Sequence, residues 1–283
     1  PSWRERRMTI SCLPWYRLPE TERAQDTFWA GLAKHLRRQG LRHLPGHLTR
    51  EVSVQSLLAD PRMILGQCCG YDLVYGFSAT LGYLATPRYS APGCGIGTYS
   101  SFILVRQNEK SDDISALRGR VAVINGFNSH SGANALRSVV APFSRKGRFF
   151  SKVKVSGGHV RSLDMLLDGQ ADVMAIDCVL HALLLRHRPG ALEGTRVVGQ
   201  SAPVPAPPFV ISAALPDETR KRVREGLMEA LVDPALVDAR SILLLEGVEL
   251  LPAHEYLKIV ELEAVALRRG YFELHATTPA MVD

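Results

Sequence analysis

No stretch of the 283-residue chain approaches the roughly 18 uninterrupted apolar residues that a membrane-spanning helix needs. Stable insertion by a helix within this sequence is therefore not expected. The first residues, PSWRERRMTISCLPWY, carry charge but no apolar segment followed by a small-residue cleavage site, so no secretory signal is legible. Two readings fit: a cytoplasmic protein, or the mature periplasmic form of an exported one whose upstream signal was trimmed. Met8 stands just before the first apolar run, which marks residues 1–7 as an added tail or an upstream extension. Cysteine is scarce, with Cys12, Cys68, Cys69, Cys94 and Cys178 only, and none is spaced C-x-x-C. A disulfide-rich scaffold is excluded. The five read as buried thiols, or as a single bridge from Cys68 or Cys69 to Cys94 that would require an oxidising compartment.

Charge of one sign is also in short supply. Lys and Arg number 34 against 28 Asp and Glu, a net charge of +6 that modestly favours the approach of anions. The basic runs RERR (4–7), KHLRR (34–38) and SRKGR (144–148) read as a tail, a helix face and a loop. Without zinc-finger spacing or an aromatic-rich RNA signature beside them, nucleic acid is not an expected partner. Several catalytic signatures are missing as well. Neither Ser129 nor Ser131 lies in G-x-S-x-G, position 127 being Phe. GCGIGTY (93–99) matches no nucleotide-binding glycine pattern and precedes a strand, so it reads as a tight turn. His43 and His47 flank Pro-Gly and cannot be a helical metal-ligand pair. No metal, cofactor or catalytic residue is expected.

What is present is alternation. With 46% hydrophobic and 22% charged residues, the chain can bury the core of one large domain or two modest lobes. Strands are predicted at 9–14, 61–66, 79–87, 99–106, 121–125, 151–156 and 171–176. Helices are predicted at 21–40, with a Thr cap and terminal Gly, at 160–169 and 178–187, and in the last part at about 217–231, 236–245 and 254–269. The Pro-rich SAPVPAPPFVISAAL (201–215) reads as an ordered crossover into an extended run. Strands interleaved with helices predict parallel sheets covered on both faces, with ligands beyond the carboxyl ends of the strands.

One such end is unusually rich. After VAVIN (121–125), the segment GFNSHSGANALRSVVAPF (126–143) places Asn128, Ser129, His130, Ser131 and Gly132 where a helix begins. One capping oxygen would satisfy a helix start. Two hydroxyls beside open N–H groups and a glycine can also hold an anion. A redundantly capped helix fits the same residues, and His130 alone reads as a surface or capping histidine. His159 follows a strand after SGG, and Asp177 ends another and can cap the helix after it. Tyr16 and Tyr99 follow the first strand and the glycine turn, where each can donate a hydroxyl or pack.

In order and type, LPWYRLPE, GQCCGYDL, TPRYSAPGCGIGTYSSFILVR, ALRGRVAVINGFNSHSGANALR, GGHVRSLDMLLDGQADVMAIDC and PVPAPPFVISAALPDE together resemble the phosphate, phosphite and phosphonate substrate-binding proteins of ABC transporters. The resemblance implies a two-lobed α/β fold of the type II periplasmic-binding-protein kind, each lobe a mainly parallel sheet flanked by helices, with a ligand cleft between them. It places lobe one at 1–103 and 208–283, C-terminal helices included, and lobe two at 104–207. It also implies a monomeric, non-enzymatic solute-binding protein that closes over a small oxyanion, phosphate, a phosphonate or a related ester, and passes it to an ABC permease. The alternative is a cytoplasmic enzyme or sensor domain of the same fold acting on a small metabolite. Oxyanion contacts would fall on Ser129, His130, Ser131 and Gly132, with Tyr16, Tyr99 and His159 around them and Asp177 placed to receive an amino group. His130 is bulky where the family motif carries a small residue.

Overall fold

The structure is a computed structural model that describes residues 8–274. Its first elements are β1 (Ile10–Ser11), α1 (Pro19–Arg38), α2 (Val54–Leu58), β2 (Met63–Gln67), β3 (Leu81–Tyr89) and β4 (Thr98–Tyr99). Next come β5 (Ser101–Arg106), β6 (Val121–Ile124), α3 (Ala135–Val140), β7 (Lys152–Val155), α4 (His159–Leu167), β8 (Val173–Asp177), α5 (Cys178–His187) and β9 (Thr195–Gln200). Then follow β10 (Val204–Pro205), β11 (Phe209–Ser212), α6 (Asp217–Val232), α7 (Val237–Ile242), β12 (Leu245–Glu249) and α8 (Leu257–Arg268). The expected helix over 236–245 is shorter than its pattern, because Leu244 turns left-handed (φ 55) and the chain continues as β12.

The chain forms two compact units. The first runs to Thr98 and resumes over Pro205–Glu255, and the second comprises Tyr99–Val204 and the residues from Tyr256 on. In the first, the sheet order is β1-β2-β11-β3-β12, with β1 parallel to β2 and β11 antiparallel to both its neighbours. In the second, the order is β7-β6-β8-β5-β9; β7, β6 and β8 are parallel, and β5 runs against β8 and β9. The reversed strands β5 and β11 enter each sheet directly from a crossing segment, with no helix to return the chain to the parallel direction.

Helix α1 begins earlier than its sequence signal suggests. Pro19 opens it, and Thr21 sits one turn in: its Oγ1 accepts from Leu18 N at 2.9 Å and donates to the carbonyl of Tyr16 at 2.9 Å. Thr21 thus steadies Tyr16, a non-glycine residue held at φ 60. Phe28, Trp29, Leu32 and Leu36 give the helix its buried stripe, each at most 1% exposed. Of the two readings of the cysteines, the structure has thiols: the alternative bridge from Cys68 or Cys69 to Cys94 is not formed, and all but the half-buried Cys94 are buried. Burial pushes the Cys12 thiol up to about 12 and that of Cys68 upward as well, so neither is a ready nucleophile.

The second unit corrects one expectation. The last helix, α8, assigned from sequence with lobe one, belongs to the second unit. A buried ion pair explains why. Arg137 on α3 is fully buried, and its Nη1 donates to Glu263 of α8 at 2.9 Å and to Asn134 Oδ1 at 2.9 Å. Its Nη2 donates to the Leu274 carbonyl. Ala266, Tyr271 and Leu274 complete the same apolar core as Ile124, Leu136 and Phe149. Replacing Arg137 with Met should cost about 3–5 kcal/mol in urea unfolding, since Glu263 would be left buried without its cation. The double variant Arg137→Met/Glu263→Leu should recover most of that loss; equal instability in both variants would show that shape, not charge, sets the cost.

Candidate functional site

Sheet direction gathers the site. Strands β7, β6 and β8 are parallel neighbours, so their carboxyl ends lie together. His159 opens α4 just after β7, residues 125–132 follow β6, and Asp177 ends β8. Strand β5 runs the other way, and its first residue Ser101 pairs with Asp177, so Tyr99 enters at the same end. Seven of the nine sequence-predicted residues are brought to this end as buried or half-buried side chains or backbone: Tyr99, Ser129, His130, Ser131, Gly132, His159 and Asp177. Asp177 is 2% exposed. Asn128 is exposed in the loop. Tyr16 lies in the first unit, edge-on to Tyr89 with ring centroids 5.2 Å apart, beside a cavity of about 30 Å³ walled also by Trp15, Phe28, Gln67 and Phe209. That volume admits a water molecule.

The helix start is not a plain α-turn. His130–Asn134 is π-helical and runs directly into α3, a geometry that recurs at functional sites. Ser129 is the cap: its Oγ accepts from Gly132 N at 3.2 Å, while its carbonyl accepts from Asn134 N at 3.0 Å. Among the described residues the N–H groups of His130, Ser131 and Ala133 have no backbone acceptor, the open donors of a helix start. Ser131 Oγ lies 2.8 Å from His159 Nε2. Asn125, which the sequence reading left as the end of a strand, brings Nδ2 to 3.4 Å from the same nitrogen. Both partners carry donor hydrogens, so with Nε2 as acceptor the proton of His159 resides on Nδ1.

Gly132 has a different role from the one expected. A Cβ there would fall 1.8 Å from Asn125 Oδ1, so the glycine makes room for the Asn125 amide rather than for a ligand's approach. Asn125 Oδ1 and His159 Nδ1 are buried without a hydrogen-bond partner, and so is Ser101 Oγ. Three such atoms at one strand end mark a place where polar groups await an external partner.

His130 is 1% exposed and faces inward. Its Nδ1 lies 3.1 Å from Asn134 Nδ2, whose hydrogens also reach the Ile259 carbonyl at 3.0 Å. The amide donates, which fixes the ring proton on Nε2. The ring packs against Tyr99, centroid to centroid 6.0 Å. Burial, with Arg137 nearby, pushes His130 down to about 3. Burial likewise pushes His159 down to about 4, against a smaller upward pull from the Ala175 backbone. Asp177 caps α5 through Oδ1, accepting from Val179 N at 2.8 Å and Leu180 N at 3.2 Å.

Chemically, Ser131 and His159 form the first two members of a nucleophile–base–orienter chain, but no carboxylate stands behind the imidazole as the third. A ring held neutral down to about 4 is a weak base for hydroxyl activation. The set is suited to hydrogen-bonding an oxyanion. Among the described residues no group of three or more His, Cys, Asp or Glu could hold a metal, and no helix is long and apolar enough to cross a membrane.

Solved structures share this fold. A binding protein component of an ABC phosphonate transporter from Pseudomonas aeruginosa superposes with a TM-score of 0.73 at 13% identity, covering 96% of this chain and 90% of that one. PhnD1 from Prochlorococcus marinus, in complex with methylphosphonate, gives 0.72 at 12%, covering 93% and 98%. A Xanthomonas citri protein bound to ATP gives 0.69 at 17%, covering 93% and 98%. These likenesses define the fold class, two α/β units of the type II periplasmic-binding-protein kind. Comparison with curated protein sequences finds no match. The family described as ABC transporter, phosphonate, periplasmic substrate-binding protein matches residues 78–247, more than half of the chain, and the chain belongs to that family.

The two histidines set a pH dependence. Their folded values, about 3 and about 4, lie below the ordinary 6.5, so the unfolded chain binds protons that the folded chain refuses. The stability they confer is complete above 6.5 and is lost as pH falls from there toward those values. Asp72, pushed up by burial to about 6, acts in the opposite sense as pH rises from 3.8. The variant His130→Asn removes one histidine and leaves Asp72 in place. Unfolding free energy measured in urea from about pH 4 to 6 should fall less steeply with acid in the variant than in the parent. An identical slope would mean that His130 is protonated in the folded state.

Proposed function

We propose that this protein binds a small phosphorus oxyanion, a phosphonate, phosphate or related ester, for ABC-type uptake, and that the anion is held at the start of the π-helical turn. The observation that carries the reading is the convergence of the Ser131–His159 pair with the Ser129 hydroxyl and the open N–H groups of His130, Ser131 and Ala133. Family membership supports a transported ligand rather than a chemical reaction, and implies a permease partner and a periplasmic setting. The methylphosphonate in PhnD1 and the ATP in the Xanthomonas citri protein support a phosphorus-bearing anion.

The pair works through its hydroxyl. In the ligand-free protein the Ser131 hydroxyl donates to His159 Nε2. When an oxyanion arrives, the hydroxyl turns its proton from His159 Nε2 to the anion, and Asn125 Nδ2 at 3.4 Å remains as the donor to that nitrogen. The anion thus receives a hydrogen bond without a cationic side chain having to be desolvated, and helix-start amides supply the remaining donors. Asp177, engaged as a helix cap, offers an amino-bearing ligand a carboxylate already committed in part.

Titration calorimetry with methylphosphonate, phosphite, phosphate, aminoethylphosphonate and sulfate tests this. At least one phosphorus oxyanion should bind, and Ser129→Ala/Ser131→Ala should weaken it at least about a hundredfold, two charge-assisted hydrogen bonds being removed. His159→Ala should weaken it about tenfold or more by the same reasoning. Affinity retained in the double serine variant would contradict the assignment. Loss of the Ser129 cap costs only about 1 kcal/mol of stability, so the variants should remain folded.

A further inference from the structure

The basic run SRKGR, read from sequence as a solvated loop, takes a defined shape at the far side of the second unit's core. Arg145 and Arg148 exchange backbone hydrogen bonds of 2.8 and 3.0 Å, closing a turn in which Lys146 and Gly147 are both left-handed (φ 50 and 75). The tip rests on the end of α8: a Cβ at Gly147 would lie 2.9 Å from the Gly270 carbonyl. Glu273 locks the two segments together, its carboxylate accepting from Phe149 N at 3.0 Å, Phe150 N at 2.9 Å and the Tyr271 hydroxyl at 3.0 Å. Five exposed cations are thereby collected from two distant parts of the chain: Arg145, Lys146 and Arg148 from the turn, Arg268 and Arg269 from α8. None of the five has an ion-pair partner among the described residues. Glu273, the carboxylate that joins the two segments, is occupied with backbone N–H groups and the Tyr271 hydroxyl.

Aromatic rings stand beside these charges. Phe272 is 61% exposed and lies two residues beyond Gly270, after the buried Tyr271, and Phe143, 37% exposed, immediately precedes the turn. Arg118 fastens Phe143 by donating to its carbonyl from both Nε and Nη2. Exposed phenylalanines among unneutralised cations combine the two features by which a peripheral protein holds a bilayer: charge for anionic headgroups, and apolar rings for the headgroup–acyl boundary.

We propose that this cationic, aromatic face docks the second unit on the surface of an anionic phospholipid membrane. The charges are spread over two segments, and the carboxylate between them, Glu273, is turned to backbone N–H groups and the Tyr271 hydroxyl, an arrangement that suits a laterally uniform lipid surface better than a shaped protein partner. The attraction is peripheral and requires no helix to enter the bilayer. It rests on residues outside the proposed anion site and is independent of that assignment.

Flotation with vesicles of equal parts phosphatidylcholine and phosphatidylglycerol tests it, against vesicles of phosphatidylcholine alone. The protein should float with the anionic vesicles at low salt, stay behind with the zwitterionic ones, and be released by high salt. Each cation near such a surface contributes about fivefold, so Arg145→Glu/Lys146→Glu/Arg148→Glu should lower partitioning at least about a hundredfold. The separate variant Arg268→Glu/Arg269→Glu should lower it at least about tenfold, and both should keep the parent's circular dichroism. Phe272→Ala should weaken binding without altering its salt dependence. No flotation of the parent protein, equal flotation with zwitterionic vesicles, or binding unchanged by both sets of reversals would overturn the proposal; the first would leave the face to an acidic protein partner.

Discussion

A guanidinium removed from water must be neutralised and hydrogen-bonded, and in the second unit that requirement falls on Arg137. Glu263 supplies the charge, and Asn134 and the Leu274 carbonyl accept from Nη1 and Nη2, while Nε is buried without a hydrogen-bond partner. The consequences reach beyond the pair. Satisfying Arg137 forces α8 onto α3, and thereby decides which unit receives the end of the chain. Asn134, with its oxygen taken by Arg137, has its amide hydrogens left for His130 and for Ile259, so the imidazole is both oriented and kept neutral. A bulky histidine in the π-helical turn is accommodated because it is turned into the core.

The division of labour at the strand ends follows. His130 is spent on structure and His159 on the site, although both are buried histidines with lowered pKa values. The difference lies in their partners. His130 meets an amide whose other contacts lead into the core, whereas His159 meets the hydroxyl of Ser131 at the mouth of the turn. Ser129 caps, Ser131 meets His159, and Gly132 yields space to Asn125. Crowding five small or polar residues into one junction is thus explained by several distinct duties rather than by redundant capping.

The alternation of apolar runs with amphipathic segments made the two-lobed α/β class legible, and the strand–loop–helix at 121–140 was legible because an apolar run ends abruptly in Asn, Ser and Gly. Helix α5 matches its sequence pattern residue for residue. What hydropathy does not encode is hydrogen-bond register, so the π-helical turns at Asp72–Gly76 and His130–Asn134 were invisible. Nor does it encode partners across the chain: Glu263 lies 126 residues from Arg137, and Asn125 takes its role only once Gly132 and His159 are beside it. One signal was available and unread. Asn134 and Arg137 are polar residues three apart on what is otherwise the apolar face of a helix, a spacing that puts both in the core together.

The assignment of the anion to the Ser131–His159 end of the sheet can be tested at the atoms concerned. Nitrogen-15 spectra of the histidine side chains, recorded with and without saturating methylphosphonate, would separate the two buried rings. The Nε2 resonance of His159 should shift on binding as the Ser131 hydroxyl turns away from it, while the His159 proton stays on Nδ1 and His130 keeps its proton on Nε2 against Asn134. Saturable binding that leaves both ring nitrogens of His159 unchanged would contradict it.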